Sequence, residues 1–301
     1  MMGFINVLKP PGMTSHDVVD FLRRCLGIKK IGHGGTLDPL AAGVLPLGVG
    51  KATRLLEYVQ EGDKAYRAEF ILGLKTDTQD LSGEILSRRE VPQVHLELLQ
   101  EAAQRFTGSI PQVPPMASAV RYKGQRLYQL ARRGEKVNLP PRKVQIKQFK
   151  ILKAWPDPPY WRVRTDIVCS KGTYIRSLGN DWGDFLGWGA TLAFLLRTRS
   201  GSFTLEESWT LEEIEEAWKR GKGDFLLSPR QGLAHLPLFI VGEREAAGVR
   251  QGRILKLGKG DFPWGINTHL RLETDRGQFL AVAVLKAEDS QYYLQPVKVL
   301  V

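Results

Sequence analysis

Gly32-His33-Gly34-Gly35-Thr36-Leu37-Asp38-Pro39-Leu40-Ala41-Ala42-Gly43-Val44-Leu45 surrounds a single carboxylate with glycines and aliphatics. A carboxylate in such a setting loses hydration and must find a partner or a task. Pro39 fixes its own φ near the value turns use and biases Asp38 away from the helical region. Gly34 and Gly35 let the backbone come close to whatever lies opposite. The string reads as a loop built to present an acid. An Asp before Pro is also a common turn starter, and glycines cluster in turns for conformational reasons alone, so spacing by itself leaves both readings open.

Outward from this loop, strand and helix patterns alternate. Phe4 to Leu8 is a short apolar run ended by Lys9-Pro10-Pro11-Gly12, a strand leading into a rigid turn. Thr14 or Ser15 caps the helix that follows, with Val18, Phe21, Leu22, Cys25 and Leu26 at helical spacing. Gly43 to Val49 reads as a strand, and Lys51 to Val59 as a short helix. Tyr66, Ala68, Phe70 and Leu72 alternate with Arg67 and Glu69, which predicts a strand with Tyr66 on its buried face. Leu96 to Phe106 is amphipathic and helical. Trp161 to Cys169 alternates as a strand, Ile175 to Phe185 follows as a helix, and Thr191 to Phe203 is strand-rich. Thr210 and Glu213 make a capping box for an acidic helix. The irregular alternation predicts an α+β fold with a mixed sheet rather than a doubly wound parallel one. From about Leu236 to Val301, short apolar pieces separated by Gly and Pro predict a small β domain.

The 301 residues set a prior of about two domains. A hydrophobic share of 43% and a charged share of 25% suit a globular chain with a real core. No charged-then-apolar leader and no long apolar run is present, and the two cysteines, Cys25 and Cys169, make neither a disulfide framework nor a zinc site. The expectation is a cytoplasmic protein with reduced thiols and no membrane contact. His33 has no metal-ligand partner at a suitable spacing, and Asp77, Asp80 and Glu84 fail the EF-hand template and read as a Thr/Asp-rich turn. Net charge is +11, and it is concentrated: from Arg121 to Lys147 nine Lys or Arg face one acid, Glu135. Prolines bound this segment (about 110–147), which reads as an inserted loop with a role of its own. A solvated basic face is one explanation. Tyr122 and Tyr128 among the cations favour nucleic-acid contact.

Four further stretches accompany the Asp38 string in order: Lys9-Pro10-Pro11-Gly12-Met13-Thr14-Ser15, Lys64-Ala65-Tyr66, Gly73-Leu74-Lys75-Thr76-Asp77-Thr78-Gln79-Asp80 and Ser170-Lys171-Gly172-Thr173-Tyr174-Ile175-Arg176-Ser177-Leu178. Together they resemble the TruB family of tRNA pseudouridine synthases, with its patterns K-P-x-G-x-T-S, G-H-x-G-T-L-D-P-x-A-x-G-V-L, K-x-Y, G-x-x-T-D-T-x-D and S-K-G-T-Y-I-R-x-L. The likeness covers roughly the first two thirds of the chain.

The resemblance implies a mixed, mainly antiparallel sheet of the pseudouridine synthase type flanked by helices, in a catalytic domain over 1–235. A PUA-like RNA-binding domain would occupy 236–301. It implies that Asp38 is the nucleophile for isomerising the T-arm loop uridine of tRNA, position 55, and that Arg176 keeps it charged. Tyr66 would stack on the flipped base and handle the C5 proton, Tyr174 and Leu195 would complete the pocket, and His33 would fill the gap the base leaves. The basic insertion would fold over the RNA like a thumb, bringing Arg121, Tyr122, Lys123, Arg132 and Arg133 to it. No cofactor, metal or obligatory protein partner is implied, and an unbroken solvated surface suits a monomer.

This sequence departs from the pattern at Gly34, where Thr is frequent, at Thr191, where a His often precedes Leu, and at Leu196, which replaces the first Arg of L-R-R-T. Two other readings remain beside the enzyme. One is a tRNA-binding or tRNA-folding protein in which catalysis is secondary, although a pure binding module has no use for a carboxylate facing a polyanion. The other is a guide-dependent synthase that needs partner proteins, against which the long insertion argues.

Overall fold

A computed structural model describes residues 1–118, 120–135, 137–289 and 291–300. Its main sheet has ten strands. Along the principal path these are Leu226–Leu227, Gly3–Lys9, Ala42–Val49, Ala190–Ser200, Lys64–Leu72, Tyr160–Cys169, Arg142–Asp157 and Gly108–Gln112. Every pairing on this path is antiparallel except one. Ala190–Ser200 meets Ala42–Val49 in parallel over two register pairs, Leu196 with Ala42 and Arg197 with Gly43. The Asp38 loop enters the sheet at this seam. Gly43 there has φ +112°, and a Cβ on it would lie 2.2 Å from the Arg197 carbonyl oxygen, so the close approach requires glycine.

Strand Lys64–Leu72 follows from its alternation: Tyr66, Ala68, Phe70 and Leu72 are buried, whereas Arg67 and Glu69 reach Asp166 and Arg164 on the neighbouring strand. Helix Ile175–Phe185 covers this core with Ile175, Leu178 and Trp182. Helix Ser15–Leu26 begins in a capping box between Thr14 and Asp17 and stops at Gly27, whose φ is +67°.

The ends of the proline-bounded basic segment are sheet strands, because Gly108–Gln112 pairs with Arg142–Ile146. Between them lie a two-residue hairpin, Arg121–Tyr122 with Gln125–Arg126, and a helix, Leu127–Arg132. The second sheet has the order Leu238–Val241, His269–Thr274, Phe279–Glu288, Gln291–Val299 and Leu255–Gly258. It also carries a helix, Glu243–Arg250, where sequence reading expects only strands. That helix buries only Ala246 and Val249, too few apolar positions to show a helical period. Val282 and Leu300 of this part share a core with Phe4, Leu55 and Val59 of the first. No helix among the described residues is long and apolar enough to cross a membrane.

Candidate active site

The segment Lys9 to Ser15 and the Asp38 loop are recognisable together because they are bonded together. Lys9, fully buried, donates from Nζ to the carbonyls of Pro39 (3.3 Å) and Ala41 (2.7 Å), and to that of Pro10. Ser15 Oγ accepts from the Leu37 N–H (2.9 Å), and Gly12 N–H donates to the Pro39 carbonyl at 2.8 Å. Both sides of Asp38 are thus fastened, and its side chain, 38% exposed, faces a cleft of about 500 Å³.

Arg176, 4% exposed at the start of its helix, reaches into the same cleft. Its Nε lies 3.0 Å from Asp38 Oδ2, but the N–H is not aligned for a hydrogen bond, so the contact is an ion pair. The other guanidinium nitrogens donate to the carbonyls of Thr78 (3.1 Å) and Ala117 (2.8 Å). Asp80 Oδ2 stands 3.5 Å from Nη1. Asp80 in turn accepts from Thr78 Oγ1 (2.7 Å) and the Ser82 N–H (3.0 Å). Burial pushes the Asp38 carboxyl above the ordinary aspartate value. Arg176 pulls it back, Asp80 adds to the push, and Lys9 opposes it.

Tyr66 and Leu195, both buried, line this cleft, as does the half-buried Tyr174. The Tyr174 N–H donates to Gln112 Oε1 at 2.7 Å and its carbonyl accepts from Gln112 Nε2 at 3.0 Å, which fixes the turn into the helix. Burial raises the Tyr66 phenol and Arg197 draws it down. Lys64, two residues along the same strand face, donates to the carbonyls of Gln60 (2.9 Å) and Gly62 (2.6 Å), and burial lowers it to about 8. His33 stands outside the cleft lining, at the end of strand Ile31–His33, and burial with Arg197 nearby keeps its imidazole low. A cleft that sets one carboxylate among two buried guanidinium groups, a lysine and a phenol, with Leu37, Ile175 and Leu195 as its apolar wall, is equipped for covalent and proton-transfer chemistry.

Residues 23–175 match the family described as TruB family pseudouridylate synthase (N terminal domain), and 176–229 match the tRNA pseudouridylate synthase B C-terminal domain. The chain belongs to the TruB family. A relative from Moorella thermoacetica, named tRNA pseudouridine synthase B, is 58% identical and aligns over 100% of this chain and 99% of its own. Another of that name, from Heliobacterium mobile, is 46% identical over 99% of this chain and 94% of its own. Among solved structures, a chain of an H/ACA RNP bound to a substrate RNA containing 2'-deoxyuridine superposes with TM-score 0.76 and 25% identity, over 99% of this chain and 85% of that one. A chain of a Cbf5-Nop10-Gar1 complex gives TM-score 0.77 and 27% identity, over 99% and 84%. The protein is therefore a pseudouridine synthase, an isomerase, with the mixed sheet of that fold.

In this TruB chain none of the hairpin's described residues lines the cleft. Lys123 is exposed, its Nζ 5.6 Å from the centre of the half-buried Tyr122 ring, and Arg133 pairs with Glu135 at 2.9 Å. The side chains of Arg121, Tyr128 and Arg132, and all of Lys136, lie outside the described residues. Sequence reading missed Lys9, Lys64, Asp80 and Arg197 as parts of the site. All four stand inside the quoted motifs, Arg197 as the second Arg of L-R-R-T, but nothing in a linear pattern distinguishes a buried charge with partners distant in sequence from a solvated one.

Proposed function

We propose that the protein converts the T-arm loop uridine of tRNA, position 55, to pseudouridine, with Asp38 as nucleophile toward a base flipped out of its stack. The observation that carries this reading is the Asp38 carboxylate 3.0 Å from buried Arg176 in a cleft whose volume suits one nucleotide. The isomerisation breaks the N1–C1′ bond, turns the base and joins C5 to C1′. C5 gives up a proton and N1 takes one, so atoms and charge balance with no cofactor or metal. Arg176 keeps Asp38 ionised against its burial, whether the attack falls on the base or on the ribose carbon. Tyr66 stacks on the base and handles the C5 proton, Tyr174 and Leu195 wall the pocket, and His33 occupies the gap left in the RNA.

The tRNA substrate is supported by the name the relatives bear, tRNA pseudouridine synthase B, and by the clustered positive charge. Arg121, Tyr122, Lys123, Arg132 and Arg133 grip the T arm from the insertion, and a PUA-like domain over 236–301 extends the contact beyond the catalytic domain over 1–235. The protein works in the cytoplasm as a monomer without a protein partner.

The test is pseudouridine formation in unmodified tRNA transcript by the wild type and by Asp38→Ala, with binding measured in parallel. Product at the T-loop uridine that disappears with Asp38→Ala while binding persists is the expected result. Tight binding with no product from either protein would leave an RNA-binding or folding role and overturn the reading of Asp38.

A further inference from the structure

Arg197 takes no part in the chemistry assigned above, yet it is among the largest fully buried side chains, 2% exposed. Its guanidinium has carbonyls for partners: Nε donates to Val44 (2.8 Å), Nη1 to Thr36 (3.3 Å) and Nη2 to Gly35 (3.4 Å). Among the described residues no carboxylate lies within ion-pair distance of it. A buried cation without a counter-ion costs stability, so its retention in a reaction cleft points to a use for the charge.

Its place in the sheet indicates that use. Gly35 and Thr36 precede Asp38 and Val44 follows it, so one planar fork grips the loop on both sides of the carboxylate. Lys9 binds the loop at different carbonyls, Pro39 and Ala41, leaving the Gly35–Thr36 limb to Arg197. The Arg197 backbone pairs with Tyr66 on one side and Gly43 on the other. The same side chain therefore touches the carboxylate's loop and stands beside the phenol, both of which line the cleft.

We propose that Arg197 is a positioning residue: it clamps the Asp38 loop to the strand that carries Tyr66 and sets a fixed positive charge beside the Tyr66 phenol. The direction in which Arg197 draws the phenol, opposite to burial, agrees with this role. The inference rests on the roles given to Asp38 and Tyr66 under Proposed function.

Single-turnover pseudouridine formation is measured against pH for wild type, Arg197→Lys and Arg197→Met, with tRNA binding and thermal unfolding alongside. Arg197→Met is expected to slow the chemical step roughly 100-fold at neutral pH, with binding nearly unchanged. The pH limb that tracks phenol ionisation should move to higher pH, because the phenolate loses its neighbouring cation. Arg197→Lys keeps the charge but cannot span three carbonyls, so a loss of about 10-fold with an unmoved limb is expected. A folded Arg197→Met with wild-type rate overturns the proposal, as does a slow one whose limb stays in place, since that reports structural support alone. If Arg197→Met does not fold, Arg197→Lys and Arg197→Gln decide together: a wild-type rate in both, or a limb that stays in place in Arg197→Gln, overturns the proposal, and slower chemistry in both with the limb raised only in Arg197→Gln supports it. Wild type and Asp38→Ala in the same assay keep the two readings separate, because failure there removes the reading of Asp38 whatever Arg197 does.

Discussion

Two carboxylates share one guanidinium in this site, and their inequality sets its charge. Asp38 faces the cleft with its pKa raised by burial, while Asp80, 12% exposed, is tied into its turn by Thr78 and Ser82 and repels Asp38 through Arg176's other side. An aspartate raised in this way protonates sooner as pH falls, so activity that needs the carboxylate should be lost on the acid side above the ordinary carboxylate range. Asp80→Asn keeps the turn's shape and removes the like charge. The acid limb of kcat/KM should then move to lower pH, while kcat at neutral pH falls about 10-fold because Arg176 loses one of two carboxylates. A limb that stays in place or moves upward would mean that Asp80 is not felt at Asp38. Glycines and Pro39 isolate Asp38 in the sequence, but that spacing suits a plain turn equally, and only the likeness of the whole string to the family singled the carboxylate out. Asp80 read as a turn residue, which it is. Its second role depends on Arg176, 98 positions from the Thr78 carbonyl it also binds, and no local pattern carries that distance.

Arg176 is held in place by how closely its helix lies on the sheet. Gly179 and Gly183 fall on the packed face of helix Ile175–Phe185. A Cβ at Gly179 would lie 2.0 Å from Phe70 Cε1, and one at Gly183 2.3 Å from the Ala190 backbone nitrogen. Gly179→Ala must therefore lift the helix or turn the Phe70 ring, which itself packs on Trp182 with ring centres 6.0 Å apart. Overpacking of this kind costs about 1–3 kcal/mol, readable as a lower denaturation midpoint, with a larger proportional loss of activity than of tRNA binding. Unchanged stability would show that the ring moves freely. The helix itself was legible, since Ile175, Leu178 and Trp182 repeat at helical spacing, and so were the strands around Tyr66 and Ile167. The order of strands was not. The parallel seam at Arg197 and Gly43 joins residues far apart in sequence through a backbone contact that only a glycine permits, and periodicity records which face is buried but not which strand lies beside it.

At the scale of the molecule, the C-terminal sheet is fastened to the first by charge as well as by the shared core. Glu273, 1% exposed, accepts from Arg271 at 2.8 Å and meets Arg230 of the preceding part at 3.3 Å, while Lys298 reaches Glu57 at 2.8 Å. Glu273→Gln leaves Arg271 without its counter-ion. A loss of about 1–3 kcal/mol is expected, with unfolding that separates into two steps as the second sheet loosens first; a single transition at the wild-type midpoint would refute this. The remaining global property is the +11 charge, which is unevenly placed. The second sheet reads nearly balanced from Ile240 to Val301, whereas the hairpin exposes Lys123 and Arg126 with no carboxylate within reach among the described residues. Cations placed there bind phosphates by releasing counter-ions, so their contribution must fall with salt. Lys123→Ala with Arg126→Ala should weaken tRNA binding and reduce the slope of log K against log salt by about 1 for each phosphate contact removed. The rate at saturating tRNA should be unchanged, because neither side chain lines the cleft that holds Asp38. An unaltered slope would place the RNA on another face. A reduced slope with a slower saturated rate would instead mean that the hairpin also shapes the cleft once RNA is bound.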